Sequence, residues 1–112
     1  MWFIVLLGCS PSFEQGKLLY ESRCANCHMS DGSGLGMAIP PLSADKIVAL
    51  DLEIACLIRT GVDANSLIPM PAQKDLTETE ITNILNYLRS EFTDIKSFYK
   101  PTDVAETLID CN

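Results

Sequence analysis

Apolar and polar positions alternate most legibly near the C-terminal third of the chain. Ile81, Ile84, Leu85, Leu88 and Phe92 recur at helical intervals. Thr77-Glu78-Thr79-Glu80 ahead of them has the form of a capping box, and Leu76 with Ile81 makes a hydrophobic staple around it. This predicts a helix ending near Phe92, with Tyr87 beside its apolar stripe. A first helix is predicted from about Phe13 to Tyr20 or Glu21, where Ser12 and Gln15 can form a second capping box. Gly16 and Tyr20 stand four apart on one of its faces, and a glycine there lets another helix approach closely. Tyr87 can meet that face. A middle helix is predicted from about Leu52 to Thr60, with Asp51 as candidate N-cap and Gly61 as its stop. Leu52, Ala55 and Cys56 fall at helical spacing, which turns Cys56 inward. Between the helices, Gly32, Gly34 and Gly36 at alternate positions forbid a long helix or strand, and Pro40-Pro41 stiffens the loop's end. Past Thr93 the pattern weakens, with a short helical turn predicted over Val104 to Ile109. The fold class is all-α.

The 112 residues make one domain, and a 47% hydrophobic content allows a core, though a small one. Domains of this size gain from a covalent or cofactor staple. Fifteen Asp and Glu against eight Lys and Arg give a formal net charge of −7, and the basic residues are scattered singly. No basic stripe offers itself to nucleic acid. The acidic surface either steers the domain to a basic docking face or simply keeps it soluble.

Candidate chemistry changes the picture at Cys24-Ala25-Asn26-Cys27-His28. Two thiols three positions apart, followed at once by an imidazole, form the attachment site of a c-type haem. Each thiol can add to one vinyl group, and His28, the sole histidine of the chain, then offers a neutral ring nitrogen to the iron. A redox dithiol would want a βαβ pattern, which the flanks lack. A zinc site would have to recruit Cys56 and Cys111, which lack paired spacing. A single covalent haem c would supply much of the core, so the apoprotein is expected to fold poorly. A carbonyl from the rigid proline turn can accept the other ring N–H of His28, with Leu42 lying against the haem. Met70, pinned between Pro69 and Pro71, has the restricted backbone that a weak thioether ligand needs as sixth ligand. Met29 adjoins His28 and Met37 belongs to the loop on the histidine side. Arg59 either complements its helix dipole or reaches a haem propionate.

The first nine residues are apolar up to a cysteine, and Leu6-Leu7-Gly8-Cys9 resembles the lipobox of bacterial lipoproteins. Residues 1–8 then read as a signal remnant, 9–12 as a tether, 13–92 as the haem domain and 93–112 as a C-terminal extension. Cys9 would carry lipid and hold the domain on the periplasmic side of a bacterial membrane. Against this, the segment has no Lys or Arg and is shorter than the roughly 15–30 residues of a secretion signal; a plain apolar N-terminus is the other reading. It is too short to cross a membrane. Cys56 and Cys111 remain: either a disulfide pins the tail to the middle helix, or Cys56 is an inert buried thiol and Cys111 lies in a frayed end.

Gly16, Tyr20, Cys24 to His28, Pro40-Pro41-Leu42, Met70-Pro71 and Ile84 to Arg89 fall in one order. In that order, Gly16 to about Glu91 resembles the class I cytochrome c family, in particular bacterial monohaem domains related to those of cbb-type oxidase subunits. The resemblance implies three to four helices around one haem, with first and last helices crossed. It implies thioether bonds from Cys24 and Cys27, His28 and Met70 as axial ligands, and Pro40 as the carbonyl facing His28. The implied function is one-electron transfer between a redox donor and an acceptor such as a respiratory complex, terminal oxidase or reductase. Two rivals stand beside it: a site that loses Met70 and binds peroxide or a gas, and a subunit relaying electrons inside a fixed complex.

Overall fold

A computed structural model describes residues 11–63 and 68–111. Its regular elements are α1 (Pro11–Arg23), α2 (Ala25–His28), α3 (Ala44–Leu50), α4 (Glu53–Thr60), α5 (Glu78–Phe92) and α6 (Pro101–Ile109). The described residues form an all-α fold, with six helical segments where three to four were predicted. Residues 1–10, and with them Cys9, lie outside the described residues.

The frame is the packing of α1 on α5. A Cβ at Gly16 would overlap the backbone carbonyl of Asn83 and crowd Tyr87 Cβ, so only glycine lets the two backbones come this close. Around that point Tyr20 lies 5.4 Å from Tyr87 and 5.7 Å from Phe92, centroid to centroid, and Phe13 lies 5.6 Å from Tyr87. These are favourable tilted aromatic contacts. Asn83 Nδ2 donates to Gln15 Oε1 across the interface. The predicted role of Gln15 in a capping box gives way to this contact, because α1 begins at Pro11, before Ser12.

Helix α5 starts as its sequence predicts. Glu80 N–H donates to Thr77 Oγ1 at 3.1 Å while Thr77 N–H donates to Glu80 Oε1 at 2.8 Å. Its stripe turns inward: Ile81, Ile84 and Leu85 are at most 1% exposed, Leu88 is buried, and Phe92 at the end is half-buried. Burying each such side chain contributes on the order of 1.5–3 kcal/mol.

The sequence reading passed over α3, which opens on Ser43, whose hydroxyl accepts from Lys46 N–H. Asp51, predicted as the N-cap of the next helix, instead ends α3 with a φ of 52°, and Leu52 precedes α4. The tail is more ordered than its weak periodicity predicted. The Asn86 side chain clamps Tyr99 through both backbone groups, donating to its carbonyl at 3.1 Å and accepting from its N–H at 2.9 Å. The Arg89 guanidinium stacks 4.2 Å from the Tyr99 ring centroid. Helix α6 then starts with Pro101, a favoured first-turn residue, and Lys100 N–H donates to Asp103 Oδ2. Val104 of α6 is wholly buried. Cys56 of α4 and Cys111 are joined as a disulfide, with Cα atoms 5.5 Å apart.

Candidate functional site

Between this frame and the loops lies a cleft of about 290 Å³. Cys24, Cys27, His28, Pro40, Leu42 and Met70 all line it. They come from three separate stretches. Helix α1 delivers the first three: Cys24 N–H donates to Tyr20 carbonyl, and α2 makes one short turn in which His28 N–H donates to Cys24 carbonyl at 2.9 Å. That turn ends at Met29, whose φ of 71° is in the left-handed region and costs an L-residue energy. The Tyr20 hydroxyl donates to the Met29 carbonyl at 2.6 Å and holds the bend. Burial pushes the Tyr20 phenol up to about 12, so it remains a donor throughout the physiological range.

Met70 is fixed by backbone pairing. Val62 N–H donates to the Met70 carbonyl at 2.9 Å and Met70 N–H to the Val62 carbonyl at 2.7 Å. Gly61 permits the turn: its φ is 78°, and a Cβ there would come within 2.6 Å of the Met70 carbonyl oxygen. On the glycine loop, Leu42 N–H donates to Gly32 carbonyl at 2.7 Å, drawing Pro40-Pro41-Leu42 along the cleft.

The remaining walls are apolar, with Ile58, Ile84 and Leu88 among them, and two cations, Arg23 and Lys46, stand at the lining. Arg23 was not singled out by sequence, although it adjoins Cys24. Its guanidinium grips Asp75 with two bonds of 2.9 and 2.7 Å and donates to Gln73 Oε1 at 2.8 Å. The end of α1 is thereby tied to the residues just past Met70. Hydrogen bonding to Arg23 holds the Asp75 carboxyl below the usual carboxylate range. Arg59 reaches the Lys74 carbonyl at 3.0 Å and does not line the cleft.

Burial lowers the basicity of His28, keeping its imidazole neutral, the form a metal can use. The Pro40 backbone acts on it in the opposite sense, close enough to be felt but outside ordinary hydrogen-bond geometry. Nδ1 of His28 is thus buried with no partner. Burial also pushes the Cys24 thiol up to about 11, against the smaller opposing pull of Arg23. No trio of His, Cys, Asp and Glu that could hold a metal ion exists among the described residues, and Cys56 and Cys111 are bonded to each other, so the zinc reading has no donor set. A shallower hollow beside α3 and residues 93–95 contains no cysteine, histidine or methionine.

Two thiols, a neutral imidazole and a thioether in one apolar cleft form a donor set that fits a flat apolar macrocycle carrying iron. The thiols could form the covalent links, and the imidazole and thioether could take the axial positions. Among the described residues no helix is long and apolar enough to cross a membrane.

Three comparisons bear on this site. The family profile described as "Cytochrome C oxidase, cbb3-type, subunit III" matches residues 11–88. The chain is 31% identical over 83 residues to the cytochrome c subunit of a quinone alcohol dehydrogenase from Gluconobacter oxydans. That alignment covers 66% of this chain but 17% of the curated relative's length. In fold it is similar to the crystal structure of c-type cytochrome XoxG from Methylobacterium extorquens AM1. The TM-score is 0.57 at 23% identity, over 90% of this chain and 67% of that one.

Proposed function

The chain belongs to the cbb3-type cytochrome c oxidase subunit III family, and is thus a monohaem c-type electron carrier with covalently bound haem c; from that premise we propose which residues do the work. Cys24 and Cys27 would hold the haem through thioether bonds, His28 and Met70 would supply its iron with an imidazole and a thioether, and Pro40 and Leu42 would flank it. When bound, the haem supplies a one-electron iron couple, whose potential a methionine ligand raises. The single observation that carries this reading is the gathering of these six residues, from stretches far apart in sequence, along one apolar cleft.

Each group of the chain has a part. The apolar walls exclude water from the iron's surroundings. Tyr20, through the Met29 carbonyl, fixes the turn that presents His28. The Val62–Met70 pairing holds a weak thioether donor at its post. Were both side chains to hold the iron, no position on it would be left for a substrate, which supports electron transfer over transformation of a bound molecule. Its partners are a redox donor and an acceptor such as a respiratory complex, terminal oxidase or reductase. Leu6-Leu7-Gly8-Cys9 supports a lipid tether on Cys9 that keeps the domain at the periplasmic face of a bacterial membrane.

Met70→Ala tests the ligand set. The haem should stay attached while the ferric iron binds added imidazole or cyanide far more tightly than in the wild type, and the potential should fall. Unchanged ligand affinity and potential would remove Met70 from the account. For the tether, Cys9→Ser should release the domain from membranes on fractionation, and continued tight association would refute the lipobox reading.

A further inference from the structure

The segment that carries Met70 has no helix of its own and borrows its position from α4. Besides the paired bonds between Val62 and Met70, Gln73 N–H donates to the Ile58 carbonyl at 2.8 Å. Arg59 adds a bond to the Lys74 carbonyl at 3.0 Å. Residues 70–74 are therefore fastened at three levels, two on the last turn of α4 and one on Val62 just beyond it. Where α4 goes, Met70 follows.

Helix α4 has eight residues, too few to persist without tertiary support. One face meets the core through Ala55 and Ile58, both buried. Cys56 is instead joined to Cys111, closing a separation of 55 residues. The partner end is itself anchored. Val104 of α6 is wholly buried, and the approach to α6 is clamped by Asn86 and Arg89 of α5 on Tyr99. The extension thus forms a brace from α5, around through α6, to α4. None of its residues lines the cleft, so it reaches the iron's surroundings only through the helices it touches, α4 and α5, and of these α4 is the one bonded to the Met70 segment.

We propose that the C-terminal extension, locked by the Cys56–Cys111 disulfide, is a positioning device for Met70, holding α4, Val62 and residues 70–74 so that the thioether stays on the iron. Cys56 and Cys111 are positioning residues. Opening the disulfide frees α4 on the side away from the core, and the segment bonded to it gains motion while the α1–α5 frame does not. This rests on the reading of Met70 as axial ligand.

The test uses the ferric, haem-loaded full chain and compares wild type with a Cys56→Ser, Cys111→Ser double variant. The first readout is equilibrium imidazole binding to the iron, which competes with the thioether. The second is amide hydrogen exchange at Val62 and Met70, which reports the segment directly. The double variant should bind imidazole about threefold to thirtyfold more tightly, the range of coupling transmitted through contiguous packed elements. Exchange at Val62 and Met70 should accelerate while amides in the middle of α1 and α5 keep their protection. Val104→Ala is the graded comparison: it loosens the anchored end of the brace but leaves the covalent link, so imidazole affinity should rise by less than in the double variant. Should the double variant fail to fold, the wild-type disulfide is opened with a phosphine, the thiols are capped with iodoacetamide and the iron is reoxidised before the same measurements. Unchanged exchange at Val62 and Met70 overturns the proposal, as does an equal rise in imidazole affinity in Val104→Ala. If Met70→Ala binds imidazole no better than wild type, the ligand reading fails by itself. The exchange data then still decide whether the disulfide holds the segment.

Discussion

The α1–α5 crossing and the cleft beside it are built from the same helices but are finished to different degrees. At the crossing every group has a protein partner: Gly16 lies against Asn83, Asn83 reaches Gln15, and Tyr20 and Tyr87 stack on each other. In the cleft, by contrast, the apolar faces of Ile84 and Leu88 line a space of about 290 Å³. Cores are packed without large gaps. The crossing is therefore complete in polypeptide alone, whereas the cleft is complete only with its haem.

The sharpest way to break this contrast is to keep the crossing and deny the haem. Cys24→Ser with Cys27→Ser should yield protein without covalent haem that keeps helix but melts at a markedly lower temperature and over a broader range by circular dichroism. An unchanged melting curve would show that the cleft needs no cofactor. The converse is Gly16→Val, which leaves the attachment residues untouched and wedges a side chain into the Asn83 backbone. A loss of roughly 3 kcal/mol is expected, the upper end for overpacking, read as a lower urea midpoint; a neutral result would mean that the helices separate freely. Tyr20→Phe probes the seam, because Tyr20 packs in the crossing while its hydroxyl holds the turn after His28. The expected loss is about 1 kcal/mol, one hydrogen bond. The smallest effect belongs to Asp75→Asn at the exposed cleft rim. Arg23 lowers the Asp75 pKa, so the stability it contributes is present above the unfolded value of about 3.9 and fades as pH falls through the lowered one. Wild type should exceed the variant slightly at neutral pH, and the two should converge in acid; a gap that persists there would assign the effect to something other than this ion pair.

What the sequence discloses depends on how local the signal is. Helix α5 carries its capping box, staple and stripe within seventeen residues of chain, and all three are realised. Gly16, Tyr20 and Tyr87 could be matched because a helix face is periodic. Helix α3 escaped because Ala44 to Leu50 is short and has Lys46, not Glu or Gln, at the capping-box position. Only the second half of α6 was legible, although Pro101 at its first turn is itself a start signal. Contacts between distant residues left no trace: Arg23 finds Asp75 and Gln73 some fifty positions away, and the distance between Cys56 and Cys111 is set by how α6 packs. The candidate site was readable because thiol and imidazole spacing is fixed by the haem itself, while Met70 needed the prolines around it to stand out.

An optical spectrum of the protein, exported in a host with haem-attachment machinery and taken oxidised and then dithionite-reduced, tests the central claim most directly. The account predicts a haem that stays with the polypeptide on denaturation, a sharp low-spin reduced spectrum and a weak iron–methionine band in the oxidised form. A high-spin spectrum would contradict the His28–Met70 ligand set, and protein without covalent haem would contradict the whole reading of Cys24 to His28.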